Sequence, residues 1–249
     1  MDVIEEDHAV RVGRALMTGF RAYSHAGRLF NAIKSRVVAG LFAAVLGVLL
    51  TAAPSGAAPL RILAFGDSLT AGYGLPANEA FPVRLQAKLT ADGYAVQIAN
   101  GGVSGDTSAG GLARLDWALA DKPDAVLVEF GANDMLRGID PKVTYDNLDR
   151  MMARLTQSGA KVLLLGMKAA SNWGREYQDA FDAIFPAIAE KYHVPLYPFF
   201  LDGVATDAAL NQSDGLHPNP QGVAAIVNRV SPYVERLLSS APAATGSNG

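Results

Sequence analysis

Between residues 58 and 240, short apolar runs alternate with longer stretches whose apolar side chains recur every three to four positions. The runs RILAF at 61–65, AVQIA at 95–99, AVLVEF at 125–130 and KVLLLG at 161–166 are near-continuously apolar. Runs of that kind suit parallel strands buried on both faces. A fifth short strand is expected near 194–197. Residues 79–91, 109–120, 142–157, 175–191 and 220–238 read as helices. Ser158-Gly159 gives a stop after the third of these, and Pro218-Asn219-Pro220 gives the last a rigid entry, an N-cap and an N1 proline. Strands alternating with helices predict an α/β fold, a three-layer α/β/α sandwich around a parallel sheet of about five strands with right-handed crossovers. No internal repeat or interdomain linker interrupts it.

The segment in front has a different character. Residues 1–57 carry six basic side chains, the last of them Arg36, and then the apolar run VVAGLFAAVLGVLL at 37–50 and the small-residue stretch TAAPSGAAP. A basic region, an apolar run and a small-x-small site predict a secretory signal, with cleavage after Ala57 and Met17 as an alternative start. Residues 37–53 fall just short of the ~18 that usually span a bilayer, which leaves an uncleaved anchor as the competing reading. The expected organisation is a leader at 1–57, a domain at 58–240 and a disordered tail at 241–249. The protein is expected in the periplasm or secreted.

Composition narrows the chemistry. The 249 residues are 50% apolar and 18% charged, with 25 Gly and no Cys. Those values exclude collagen-like, disulfide-scaffold and mainly disordered chains, and the missing Cys excludes thiolate metal sites and a cysteine nucleophile. The formal charge of −3 gives no electrostatic footprint for nucleic acid. Removing the leader's six basic and four acidic residues leaves 15 and 20, a net of −5. No cluster of acidic or His residues has metal-ligand spacing, and neither metal nor cofactor is expected.

In a parallel α/β sheet, ligands bind outside the carboxyl ends of the strands. Four polar, glycine-rich clusters are expected at that edge: GDSLT from Gly66, NGGVSGD from Asn100, GAND from Gly131 and SDGLHPN from Ser213. Ser68 is the candidate nucleophile. A serine hydroxyl needs a base to take its proton and an oxyanion hole to receive the developing charge. His217, three residues after Asp214, can offer Nε2 as that base while the carboxylate holds Nδ1. The Ser68 and Gly105 backbone N–H groups and the Asn133 side-chain amide are candidate oxyanion donors. Each has a plain structural alternative: a cap for Ser68, a turn for Gly105, an Asx turn for Asn133 and a helix entry for DGLHPNP. His193, in KYHVPLY, reads as structural. The joint occurrence of the others at successive strand ends favours chemistry.

GDSLTAGYG at 66–74, NGGVSGDTS at 100–108, GAND at 131–134 and DGLHPN at 214–219 resemble, in order, the four blocks of the GDSL, or SGNH, hydrolases. The resemblance covers about residues 61–238. SGDTSAGGLARL at 104–115 and MKAASNWGREY at 167–177 point to the subgroup of periplasmic thioesterases, lysophospholipases and arylesterases. It implies a flavodoxin-like sheet, Ser68 as nucleophile, Asp214 and His217 completing a triad, and an oxyanion hole of Ser68, Gly105 and Asn133. The pair Gly101-Gly102 departs from the usual second block, and among the glycine amides Gly105 is preferred. The absence of any GxSxG argues against an α/β-hydrolase lipase.

The expected reaction is hydrolysis of esters and thioesters through an acyl-serine. Leu75, Met135, Leu136, Met167 and Trp173 are candidates for lining an acyl groove, with loop-edge core packing as the alternative for each. The partner is a small-molecule acyl ester or thioester; transient contact with membrane lipid is left open, and a monomer suffices for the core. Two other readings stay open, a carbohydrate O-acetyl esterase of the same family and a non-catalytic lipid- or glycan-binding protein. Intact mass of the exported protein checks the leader. A chain beginning at Ala58 is expected, and one retaining residues 37–50 would mean an anchor.

Overall fold

The computed structural model describes residues 58–240; the segments read as a leader at 1–57 and a tail at 241–249 lie outside the described residues. Five strands form one parallel sheet: β1 Leu60–Gly66, β2 Val96–Gly102, β3 Ala125–Glu129, β4 Lys161–Leu165 and β5 Leu196–Tyr197. Their spatial order is β2-β1-β3-β4-β5. All five residues of β3 are buried, as are the last five of β1 and the last four of β4. The continuous apolar runs therefore mark strands covered on both faces.

Eight α-helices accompany the sheet: α1 Ser68–Ala71, α2 Phe81–Ala91, α3 Ser108–Ala118, α4 Ala132–Leu136, α5 Pro141–Ser158, α6 Arg175–Asp182, α7 Ile184–Tyr192 and α8 Pro220–Ser239. α2 packs on α8, and α3 and α7 pack on α5. The chain runs from β1 outward to β2, then back across β1 to β3. With right-handed crossovers, that reversal puts α2 and α3 on opposite faces. The result is the expected three-layer sandwich, with the core on both faces of β1, β3 and β4.

The elements differ from the pattern where local chemistry intervenes. The helix expected at 79–91 starts at Phe81, with Pro82 in its first turn, and residues 77–79 form a 3₁₀ turn. The helix expected at 175–191 is two helices meeting at Ala183. Pro186 has no N–H for the Asp182 carbonyl, and its ring would crowd that carbonyl in a continuous helix. α1 and α4 are too short for a period to reveal them. Gly159 ends α5 at φ +79°, and His193 caps α7 at φ +50°, a structural role like the one expected for it.

α8 begins as its sequence suggests. The Asn219 side chain accepts the N–H groups of Gln221 and Gly222, each at 3.0 Å, and Pro220 occupies the first turn. The same amide donates to the Ala209 carbonyl at 2.8 Å, tying the preceding loop to the helix. Asn219→Ala is therefore expected to lower stability by about 1–2 kcal/mol, the usual cost of a lost N-cap. Chemical denaturation checks this, and an unchanged midpoint would remove the cap from the account.

Candidate active site

β1 and β3 are neighbours whose connections leave toward opposite edges of the sheet, so a crevice opens beyond their carboxyl ends. The turns after these two strands carry Ser68 and Asn133. Asp67 caps α1, accepting the Leu69 N–H at 2.9 Å, and Ser68 is the first residue of that helix. A first-turn N–H has no acceptor within its own helix, so the Ser68 amide is available to a ligand. Gly131, at φ +120°, opens α4 and delivers Asn133 to the same crevice.

The loop before α8 brings the third component. Ser68 Oγ lies 2.9 Å from His217 Nε2, and His217 Nδ1 lies 2.6 Å from Asp214 Oδ2. Asp214 Oδ1 accepts the backbone N–H of Leu216 at 2.9 Å and of His217 at 3.0 Å. Gly215, at φ +69°, permits this tight return. The His217 and Leu216 backbone donors, followed by the imidazole, hold the Asp214 carboxyl down at about 2. A hydroxyl, an imidazole and an ionised carboxylate in line can pass a proton from oxygen to Nε2 while Nδ1–H stays fixed.

The candidate oxyanion donors are held in different ways. Gly105, at φ +86°, sits third in a turn closed by the Asp106 N–H to the Val103 carbonyl at 3.1 Å, where a type II turn needs positive φ. Asn133 donates from Nδ2 to Asp67 Oδ2 at 2.9 Å, which occupies one of its two N–H groups.

Behind these loops, polar side chains absent from the sequence reading fasten the site. Arg114 reaches from α3 to Asp106 at 2.7 Å and to the Gly101 and Gly66 carbonyls, each at 2.9 Å, with its guanidinium 4.4 Å from the Phe65 ring centre. Asp134 accepts the Ser108 N–H and hydroxyl at 2.8 and 2.5 Å, joining the start of α3 to α4. Tyr73 lays its ring against His217 with centres 4.6 Å apart. Gln212 donates from its side chain to the Tyr73 carbonyl at 2.7 Å and from its backbone N–H to the His217 carbonyl at 2.8 Å, so it steadies the loops that carry both rings. Asp67 and Arg114 stood inside the quoted motifs, so motif position was the available signal.

A groove of about 420 Å³ opens beside Ser68, Asn133 and His217. Met135, Leu136 and Met167 are part of its lining. Leu75 and Trp173 are not. Leu75 packs against the core, and Trp173 stacks on Tyr177 with centres 5.3 Å apart and fills the space over Gly138. The walls missed by the sequence reading include Leu69 of α1 and Phe199, Leu201, Ala205 and Leu216, all from the stretch between β5 and α8. Gly105 lies outside the groove lining.

The model of the GDSL-like Lipase/Acylhydrolase family matches residues 64–225. The chain is 43% identical over 182 residues to an arylesterase of Vibrio mimicus, covering 73% of this chain and 90% of the relative. It is 38% identical over 193 residues to thioesterase 1/protease 1/lysophospholipase L1 of Escherichia coli K12, covering 77% and 90%. A crystal structure of TesA superposes with a TM-score of 0.68 at 39% identity, covering 71% of this chain and 99% of that one.

The depressed Asp214 carboxyl has a consequence for stability. A carboxyl lowered from 3.8 to about 2 on folding stabilises above the unfolded value and loses that contribution as pH falls through the folded one. Asp214→Asn is expected to be less stable than wild type at about pH 5. The margin should close between about pH 4 and about pH 2. Parallel denaturation across that range checks it, and a margin independent of pH would contradict it.

Proposed function

The chain belongs to the GDSL-like lipase/acylhydrolase family and is a GDSL-type serine esterase, and we propose that Ser68 is its nucleophile, His217 its base and Asp214 the group that orients the base. One observation carries this reading: the unbroken Ser68–His217–Asp214 hydrogen-bond chain at the mouth of a mainly apolar groove. Ser68 Oγ attacks the acyl carbonyl as His217 Nε2 takes its proton. The negative oxygen is received by the N–H groups of Ser68 and Gly105 and by Asn133 Nδ2. Collapse of the tetrahedral species expels the alcohol or thiol, protonated by His217. Water then enters by the same route, and the acid leaves with Ser68 restored.

The substrate proposed is an apolar acyl group joined as an ester or thioester, with aryl esters, acyl thioesters and lysophospholipids as the classes within reach. Support comes from Met135, Leu136, Met167, Leu201 and Leu216 in the groove, and from the names of the relatives. A mainly apolar lining suits an acyl chain better than a sugar, so the carbohydrate O-acetyl esterase reading is not favoured. Export is part of the proposal, supported by the basic stretch and apolar run before residue 57. Among the described residues, no helix is long and apolar enough to cross a membrane.

Ser68→Ala is expected to remain folded while losing both p-nitrophenyl ester cleavage and labelling by a fluorophosphonate. Asn133→Ala should keep the label but lose turnover by about 100- to 1,000-fold, the usual cost of one oxyanion donor. Ester cleavage by folded Ser68→Ala at the wild-type rate would sink the assignment.

A further inference from the structure

Two buried carboxyls next to the nucleophile are used by no step above. Asp67 and Glu129 both have no exposed surface. Asp67 makes two contacts in opposite directions: Oδ1 accepts the Leu69 N–H at 2.9 Å, and Oδ2 accepts Asn133 Nδ2 at 2.9 Å. Glu129, at the end of β3, accepts with Oε2 from the Thr70 hydroxyl at 2.8 Å and from the Asp67 N–H at 3.3 Å. Its Oε1 is buried without a partner. Gly66 is required between them, since a Cβ there would lie 2.6 Å from Glu129 Oε2 and 2.2 Å from Thr70 Oγ1.

We propose that Asp67 is a positioning residue whose single buried carboxylate holds both the first turn of α1, which presents the Ser68 amide, and the Asn133 side chain, with Glu129 as the neutral member of the buried carboxyl pair. The proposal rests on the esterase reading of this site. By capping α1, the Asp67 carboxylate fixes the first-turn amide of Ser68. By taking one Nδ2 hydrogen of Asn133, it leaves the other pointing away from Asp67, free for a negative oxygen. Acting alone, either donor could rotate independently of the other. Held on one carboxylate, they keep a fixed separation through the reaction.

Two adjacent carboxyls away from water do not both ionise. Asp67 has the better claim to the charge, with a backbone and an amide donor and His217 within reach of its field. Burial pushes its carboxyl up, while the Leu69 N–H and the Asn133 amide pull it back toward the ionised form. Burial and the Asp67 charge push Glu129 well above the usual carboxylate range. The other groups around the pair are Thr70 of α1, Asn133 of α4 and Arg114 of α3, which holds the Gly66 carbonyl. Oε1, buried without a donor, is poorly placed to carry negative charge, which favours the neutral acid at Glu129.

The test uses the full chain and p-nitrophenyl butyrate. Asp67→Asn removes the charge, and Asp67→Ser keeps a cap for Leu69 but cannot reach Asn133. Both are expected to lower kcat by about tenfold or more with KM within about twofold, since the groups they disturb act in the transition state. Their effects should be strongly non-additive with Asn133→Ala. Glu129→Gln, which mimics the neutral acid, should leave the acid limb of the pH profile where it lies in wild type. An infrared carboxylic C=O stretch should persist in wild type at about pH 8 and disappear in Glu129→Gln. Wild-type kcat in a folded Asp67 variant, or additivity with Asn133→Ala, overturns the proposal. Absence of the C=O stretch overturns the role given to Glu129. If neither Asp67 variant folds, NMR of wild type decides: unequal exchange of the two Asn133 Nδ2 protons supports the contact, and equal exchange overturns it. Ser68→Ala stands in the same panel. If it still cleaves the ester, the esterase reading fails whatever Asp67 does.

Discussion

Two parallel neighbours whose connections depart in opposite directions leave the space beyond their carboxyl ends uncovered, because each crossover helix packs away from the other. β1 and β3 are such a pair. The rest of the site depends on this gap, for it is where backbone and side-chain polar groups can meet a ligand without a helix lying across them. The turn after β1 supplies Ser68 and the turn after β3 supplies Asn133. Neither turn could be moved one strand over without separating the two residues by a strand spacing.

An uncovered strand end must be kept rigid without being filled with apolar side chains, and buried polar contacts do that here. Arg114 ties the ends of β1 and β2 to Asp106, and Asp134 ties α3 to α4 through Ser108. Each contact has partners for its charge or hydroxyl, so it orders the loops without an unpaired buried ion. The exception among the described residues is Glu129 Oε1, on a side chain that accepts from Asp67 and Thr70 around Ser68. Polar groups left incompletely satisfied in an otherwise satisfied region mark places where function competes with stability.

Much of the fold was legible because apolar period and strand burial express the same physics. β3, at AVLVE, is buried at every position, and a run with no polar face has no other stable place in an α/β sheet. What escaped was decided by single residues acting locally. Pro186 divides the expected fourth helix, and α1 and α4, of four and five residues, carry no period to read. The groove was half legible for a related reason. Met135, Leu136 and Met167 follow strand ends, where the fold rule places them. Trp173 follows one too, but its ring finds Tyr177 and the open face of Gly138.

Sequence by itself determined the alternation of strands and helices, the polar clusters at their ends and the residue types able to transfer a proton, since spacing and side-chain chemistry are local. It allowed the Asp214–His217 contact, since three residues across a glycine turn can place the carboxylate beside the ring, but did not require it. Tertiary structure decided the 2.9 Å contact between Ser68 and His217, which are 149 residues apart. It likewise decided the meeting of Asp67 with Asn133 and Glu129, and which apolar side chains face the groove. The reason is that such contacts depend on strand order and on the face each loop crosses. Those are set by packing the whole sheet, and no short stretch of chain carries them.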